Sequence, residues 1–145
     1  MARIRDIIQG KMPDTIGPEA TVLEASRKMT AAKVGALAVI EKDRLVGIFS
    51  ERDLMTRVVA PGLDPAAVTV GSVMTHDLVV ADADDSIEAC LGRMRQLHVR
   101  HLPVVSQHKL VGMLSVRNLL MVANTAKEEE IRWLIDYVYY TPGRE

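Results

Sequence analysis

The sequence predicts a mixed α/β (α+β) fold: two β-α-β-β-α repeats packed with pseudo-two-fold symmetry, with a short N-terminal helix and a C-terminal helix. Two observations predict it. Sliding the chain by 65 residues lays 21–54 over 86–119 without a gap, with identities at Met29/Met94, Val34/Val99, Leu37/Leu102, Val39/Val104, Gly47/Gly112, Ser50/Ser115, Arg52/Arg117 and Leu54/Leu119. Self-similarity at a fixed period marks one structural unit used twice. Within each copy, short continuous apolar runs alternate with stretches of helical period, as buried strands interleaved with one-faced helices do. Half of a 145-residue chain would bury only a small core by itself, so the two halves are expected to pack into one module.

Taken in order, Ile4, Ile7 and Ile8 have the spacing of a short leading helix. A turn-rich entry loop ends at Gly17-Pro18, with a weakly written first strand near Thr15-Ile16. Thr21 is placed as an N-cap with Glu24 three residues on, and Val22, Ala25, Met29 and Ala32 give the helix its apolar face. Gly35 is expected to stop it. Residues 36–40 read as a buried strand, Glu41-Lys42-Asp43-Arg44 as a tight turn, and 45–49 as the returning strand. A helix then starts at Ser50 and carries Leu54, Met55 and Val58. Pro61-Gly62 and Pro65 mark the inter-repeat linker. The second copy follows suit. Its first strand is weakly written at 78–80, and Ser86 caps a helix bearing Ile87, Cys90, Leu91 and Met94. A strand follows at 102–105, a turn at 106–109, a strand at 110–114, and a helix starts at Ser115. Pro103 lacks a backbone donor, which places its strand at a sheet edge or beside a bulge. Thr125 with Glu128 caps a last helix whose apolar face is Ile131, Leu134, Ile135 and Val138. The expected division is 1–65, 66–124 and 125–145.

Composition narrows the function classes. A net charge of -1 gives no electrostatic case for nucleic acid. No apolar run approaches the length of a membrane span, and residues 1–6 lack the apolar core of a signal peptide. The lone Cys90 has no internal disulfide partner, which suits a reducing compartment. These features point to a cytoplasmic protein.

The candidate site is the most alike stretch of the repeat. Gly47-Ile48-Phe49-Ser50-Glu51-Arg52-Asp53 returns as Gly112-Met113-Leu114-Ser115-Val116-Arg117-Asn118. Gly47, without a side chain, lets a ligand or another backbone approach. Ser50 and Asp53 alone make a capping box, worth about 1 kcal/mol to the helix. A cap needs no arginine at its third position, yet Arg52 and Arg117 both stand there. A helix N-terminus is an anion site, a hydroxyl and a guanidinium suit phosphate, and a carboxylate can accept from a ribose diol. Asn118 keeps a hydrogen-bonding group where Asp53 stands but loses its charge.

This doubled glycine-hydrophobic-x-serine-x-x-aspartate/asparagine pattern, together with Val99-Arg100-His101-Leu102-Pro103-Val104-Val105, resembles the CBS domain. Two tandem copies resemble the Bateman module, over about residues 7–122, and the end of the chain resembles the C-terminal helix of small bacterial stand-alone CBS-pair proteins. The resemblance implies binding of AMP, ADP, ATP, S-adenosylmethionine or NAD(H) in clefts between the repeats. It implies a first site of Ser50, Arg52 and Asp53, with Ile16, Gly35 and Ala36 around the base. The implied second site is Ser115, Arg117 and Asn118, with Ala81, Arg100 and His101 around the base. Asn118 departs from the aspartate pattern, which favours the first site for ribose, whereas Arg100 and His101 add polar and cationic groups to the second. The expected function is a regulatory adenosine-nucleotide sensor of energy or redox state, with no required cofactor. A non-catalytic interaction or dimerisation protein with vestigial clefts is the alternative.

Other chemistries are weakly written. His98 and His101 are three residues apart, but nothing in the spacing gathers them with His76, His108 and Cys90 into a metal site. Neither repeated serine lies in a G-x-S-x-G elbow, and the G-K-[ST] ending of a phosphate loop is absent, so no enzyme is expected. Trp133, Tyr137, Tyr139 and Tyr140 concentrate the aromatics in the tail. Aromatic enrichment marks interfaces, so a homodimer contact is expected there and through the repeat helices.

Overall fold

In a computed structural model of the chain, residues 3–8 and 12–123 are described. The expected helix from Thr125, with Trp133 and Tyr137, lies outside them. Contacts divide the chain into two compact units. Met12–Val79 is one; the described residues before Met12 join those from Val80 onward in the other. The repeats by sequence and the units by contact are therefore drawn differently, since the repeat boundary after residue 65 falls inside the first unit.

The unit Met12–Val79 holds β1 (Thr15–Ile16), α2 (Val22–Ala32), β2 (Ala36–Glu41), β3 (Arg44–Ser50) and a one-turn α3 (Glu51–Asp53) that runs on into a π-helical stretch, Leu54–Val59. A short helix α4 (Val70–Val73) closes it. Its sheet has the order β1-β2-β3, parallel then antiparallel. The expected cap of α2 forms: the Glu24 amide donates to Thr21 Oγ1 at 3.1 Å. Val22, Ala25 and Met29 are buried, whereas Ala32 at the last turn is exposed. Gly35 is not the stop. Lys33 takes the left-handed conformation, φ 58°, and its amide closes on the last-turn carbonyls. Leu37, Val39, Phe49, Val58, Val70 and Val73 complete the core with the α2 face.

The other unit repeats the pattern with α1 (Ile4–Ile7), β4 (Ala81–Asp82), α5 (Ile87–Leu97), β5 (His101–Ser106), β6 (Lys109–Ser115) and α6 (Val116–Ala123). Its sheet runs β4-β5-β6. The first strand falls at Ala81–Asp82 rather than 78–80, because the residues that pair with β5 are Ala81 and Asp82. Pro103 sits in the central strand, not at an edge. It is accommodated beside the bulge between Val104 and Val105, and the two-residue β4 reaches only those residues. Cys90, Leu91 and Met94 are buried on α5, and His98 ends that helix at φ 55° as Lys33 ends α2. Arg93 Nη1 donates to the Val80 carbonyl at 2.9 Å, and Lys28 Nζ donates to the matching carbonyl of Thr15.

Each unit is completed by the segment that precedes the other repeat. The Ile4 and Arg5 amides donate to the Asp85 and Ala83 carbonyls, and the Val70 and Gly71 amides to the matching carbonyls of Ala20 and Pro18. Gly47 and Gly112 make room for this docking. A Cβ at Gly47 would lie 2.5 Å from Met74 Sδ and 3.0 Å from the Thr75 carbonyl oxygen, and one at Gly112 would lie 2.9 Å from Ile8 Cδ1. What the missing side chain admits in each unit is this segment of the protein itself.

Candidate functional site

The first corner forms where β3 ends and α3 begins. Ser50 remains extended, φ -117°, so its hydroxyl faces the open amides of the first helical turn. The Asp53 amide donates to Ser50 Oγ at 3.3 Å. Asp53 Oδ2 in turn accepts from the Ser50 amide at 2.9 Å and from Ser50 Oγ at 3.1 Å. The capping box expected from sequence is complete. The start of β2 is stitched to it: Ala36 pairs with Ser50, and the Glu51 amide donates to the Gly35 carbonyl at 3.0 Å. Ser50, Asp53, Gly35 and Ala36 therefore meet. Ile16 lies farther along the sheet, opposite Val39, and packs half-buried against the core. Arg52 is exposed.

Two further residues complete this corner. Thr75 Oγ1 donates to Asp53 Oδ1 at 3.0 Å, and Arg57 Nε lies 3.7 Å from the same oxygen. Arg57 Nη1 also donates to the Val73 and Met74 carbonyls at 3.1 and 2.9 Å. Asp53 is only 4% exposed and is the buried charged residue of the described chain. An ionised carboxylate has about four lone-pair positions. The Ser50 amide and hydroxyl and the Thr75 hydroxyl take three of them, and the Arg57 guanidinium covers Oδ1 as an ion pair, so the enclosed carboxylate is closed to a ribose diol in this geometry. The i, i+4 spacing of Asp53 and Arg57 is a signal the sequence offers. Thr75, 22 positions away, has none.

The second corner has the same cap and a different surround. Asn118 Oδ1 accepts from the Ser115 amide at 3.0 Å and from Ser115 Oγ at 2.8 Å, and the Asn118 amide donates back to Ser115 Oγ at 3.0 Å. His101 pairs with Ser115, and the Val116 amide donates to the Arg100 carbonyl at 3.0 Å. Asn118, Arg117 and Arg100 are exposed, so Asn118 is open where Asp53 is enclosed. Ala81 is fully buried and pairs with Val104, away from Ser115. Burial, reinforced by the Arg100 charge, pushes His101 down to about 4. Its imidazole is neutral near neutral pH, and the cations at this corner are arginines. Burial pushes the Cys90 thiol up to about 11, the mark of an inert core cysteine. Among the described residues, no three or more His, Cys, Asp or Glu gather where they could hold a metal ion. No helix there is long and apolar enough to cross a membrane.

Set beside known proteins, the chain matches a family model described as CBS domain twice, over residues 4–60 and 70–124. Hypoxic response protein 1 of Mycobacterium tuberculosis is 34% identical over 116 residues, covering 79% of this chain and 80% of that protein. A crystal structure of Hypoxic Response Protein I with two coordinated zinc ions superposes with a TM-score of 0.71 at 32% identity, covering 84% of this chain and 99% of that one. The crystal structure of the CBS domain protein NE2398 gives a TM-score of 0.82 at 31% identity, over 86% of this chain and 100% of that one. A Pyrobaculum aerophilum CBS domain protein complexed with AMP gives 0.76 at 24% identity, over 92% of this chain and 98% of that one; at that identity it speaks for the fold.

Proposed function

We propose that this chain, which belongs to the CBS-domain family, is a regulatory module that binds an adenosine nucleotide (AMP, ADP, ATP or NAD(H)) at its serine corners. CBS pairs are generally regulatory, and no enzyme family is indicated. One observation carries the reading. The corner occurs twice with the same local hydrogen bonds, and each copy presents an exposed arginine two residues after the capping serine. The cap uses neither guanidinium, and a guanidinium beside helix amides is suited to phosphate. The AMP held by the Pyrobaculum relative supplies the ligand class. The module acts in the cytoplasm as a homodimer, and occupancy is read out through the differential affinity of the ligand for two arrangements of the protein.

Calorimetric titration with AMP, ADP, ATP and NADH tests this. Saturable binding is expected for at least one, weakened about tenfold by Arg52→Ala or Arg117→Ala, the loss of one charge-assisted hydrogen bond. No saturable heat with any of the four overturns it. The enclosure of Asp53 favours a second reading, an interaction protein whose first corner is structural. Unaltered partner capture by an Arg52→Ala, Arg117→Ala double variant, in a protein that binds no nucleotide, is the result that reading expects.

A further inference from the structure

We propose that Thr75 and Arg57 form a latch on Asp53 that a ribose diol must open, so that filling the first corner loosens residues 73–75. This rests on the nucleotide reading above and adds how that site is regulated. The partners of Asp53 divide into two kinds. The Ser50 amide and hydroxyl are local and hold the helix cap on Oδ2. Oδ1 is held from residues 73–75: by the Thr75 hydroxyl directly, and by Arg57, which also grips the Val73 and Met74 carbonyls. With three acceptor positions filled and the residue only 4% exposed, a ribose hydroxyl reaches this carboxylate only by displacing one of the groups that cover it. The Thr75 hydroxyl is the donor to yield. It is neutral, it turns away by rotation about one bond, and a ribose hydroxyl replaces it like for like. The cap is left intact, as is the pair with Arg57.

Releasing that hydroxyl removes the side-chain tie between α3 and the segment after α4. What remains there is the hold of Arg57 on the Val73 and Met74 carbonyls and the two-way backbone bridge, with the Ile48 amide on the Thr75 carbonyl at 3.1 Å and the Thr75 amide on the Ile48 carbonyl at 2.9 Å. The bridge is therefore the place where occupancy is felt. Residues 73–75 lie a few positions before Val79, one of the two places where the chain passes from one unit to the other. Among the described residues, the second corner shows no such device. Position 122, the counterpart of Arg57 in the repeat, is valine, and Asn118 is exposed.

Three proteins decide the matter: the unsubstituted chain, Thr75→Val, which keeps the shape and removes the hydroxyl, and Thr75→Ser, which keeps the hydroxyl. Calorimetry with AMP and ATP is expected to show Thr75→Val binding about fivefold tighter, the factor for one competing hydrogen bond, and Thr75→Ser binding as the unsubstituted chain does. Hydrogen exchange at the Ile48 and Thr75 amides of the unsubstituted chain is expected to quicken at saturating nucleotide. This second measurement decides even where Thr75→Val does not fold. Binding that Thr75→Val leaves unchanged or weakens, or exchange at the two amides that nucleotide leaves unchanged or slows, overturns the latch and leaves the nucleotide reading standing. Absence of binding by all three proteins overturns both.

Discussion

The two corners carry the same local hydrogen bonds and differ in how the described residues from farther along the chain cover them. Ser50 with Asp53 and Ser115 with Asn118 close the same capping box over the same three-residue interval. Asp53 is then roofed by Thr75 and Arg57, while Asn118 stays open. The position of Ala36 in the first corner belongs to His101 in the second. A repeat thus preserves local geometry and lets tertiary surroundings divide the roles: one corner is a fastened node, the other an exposed one.

Asp53→Ala gives the largest test of that division. It leaves the Ser50 and Thr75 donors unpaired in a buried place and removes half the cap. A loss of about 3 to 4 kcal/mol in urea unfolding is expected, against about 1 kcal/mol for Asn118→Ala, which gives up a cap at an exposed site. Equal losses would erase the distinction.

The second corner should respond to acid. The folded chain holds His101 at about 4 against an ordinary 6.5, so between these values the unfolded chain takes up a proton that the folded chain does not. Stability therefore falls as pH drops from 6.5 towards 4, by about 3 kcal/mol for the full shift. His101→Gln, followed by melting from pH 7 to 4, should remove that slope.

The two glycines grade the docking of the exchanged segments. Gly47→Ala drives a Cβ to within 3.0 Å of the Thr75 backbone oxygen, and Gly112→Ala to within 2.9 Å of the Ile8 side chain. Overpacking costs about 1–3 kcal/mol. Gly47→Ala should fall at the high end, since backbone yields less than a side-chain tip; thermal melting ranks the pair. The smallest effects are expected at the hairpin tips. Lys42 and Asp43, like Gln107 and His108, all have positive φ. Asp43→Gly and His108→Gly should each stabilise by about 0.5 to 1 kcal/mol, similarly in both copies, because a side chain is strained there.

Helices α2 and α5, the hairpin strands and both caps were legible in the sequence because each rests on short-range relations, whereas α4 was not anticipated and β4 was placed too early. The Thr21–Glu24 and Ser86–Ala89 caps span three residues, and the burial of Val22, Ala25 and Met29 follows helical spacing. The stop of α2 was misplaced by two residues because Lys33, which carries no glycine signal, takes the left-handed turn. At the site, the meeting of Ser50, Asp53, Gly35 and Ala36 follows from the hairpin register, and so was within reach. Thr75 was not, since nothing in its own neighbourhood marks it as the partner of a carboxylate 22 residues away.

By itself, then, the sequence determined that one β-α-β-β-α unit is written twice and that each copy ends its hairpin in a capped serine corner with an arginine beside it. Those features depend on periodicity and on hydrogen bonds across three or four residues, which any local chain segment carries with it. Tertiary structure alone decided that the segment before each repeat bonds to the other repeat, that Asp53 is enclosed, and that His101 is held neutral. Each of these depends on which distant groups displace water from a side chain, and burial of a charge or an imidazole is set by those neighbours rather than by its place in the chain.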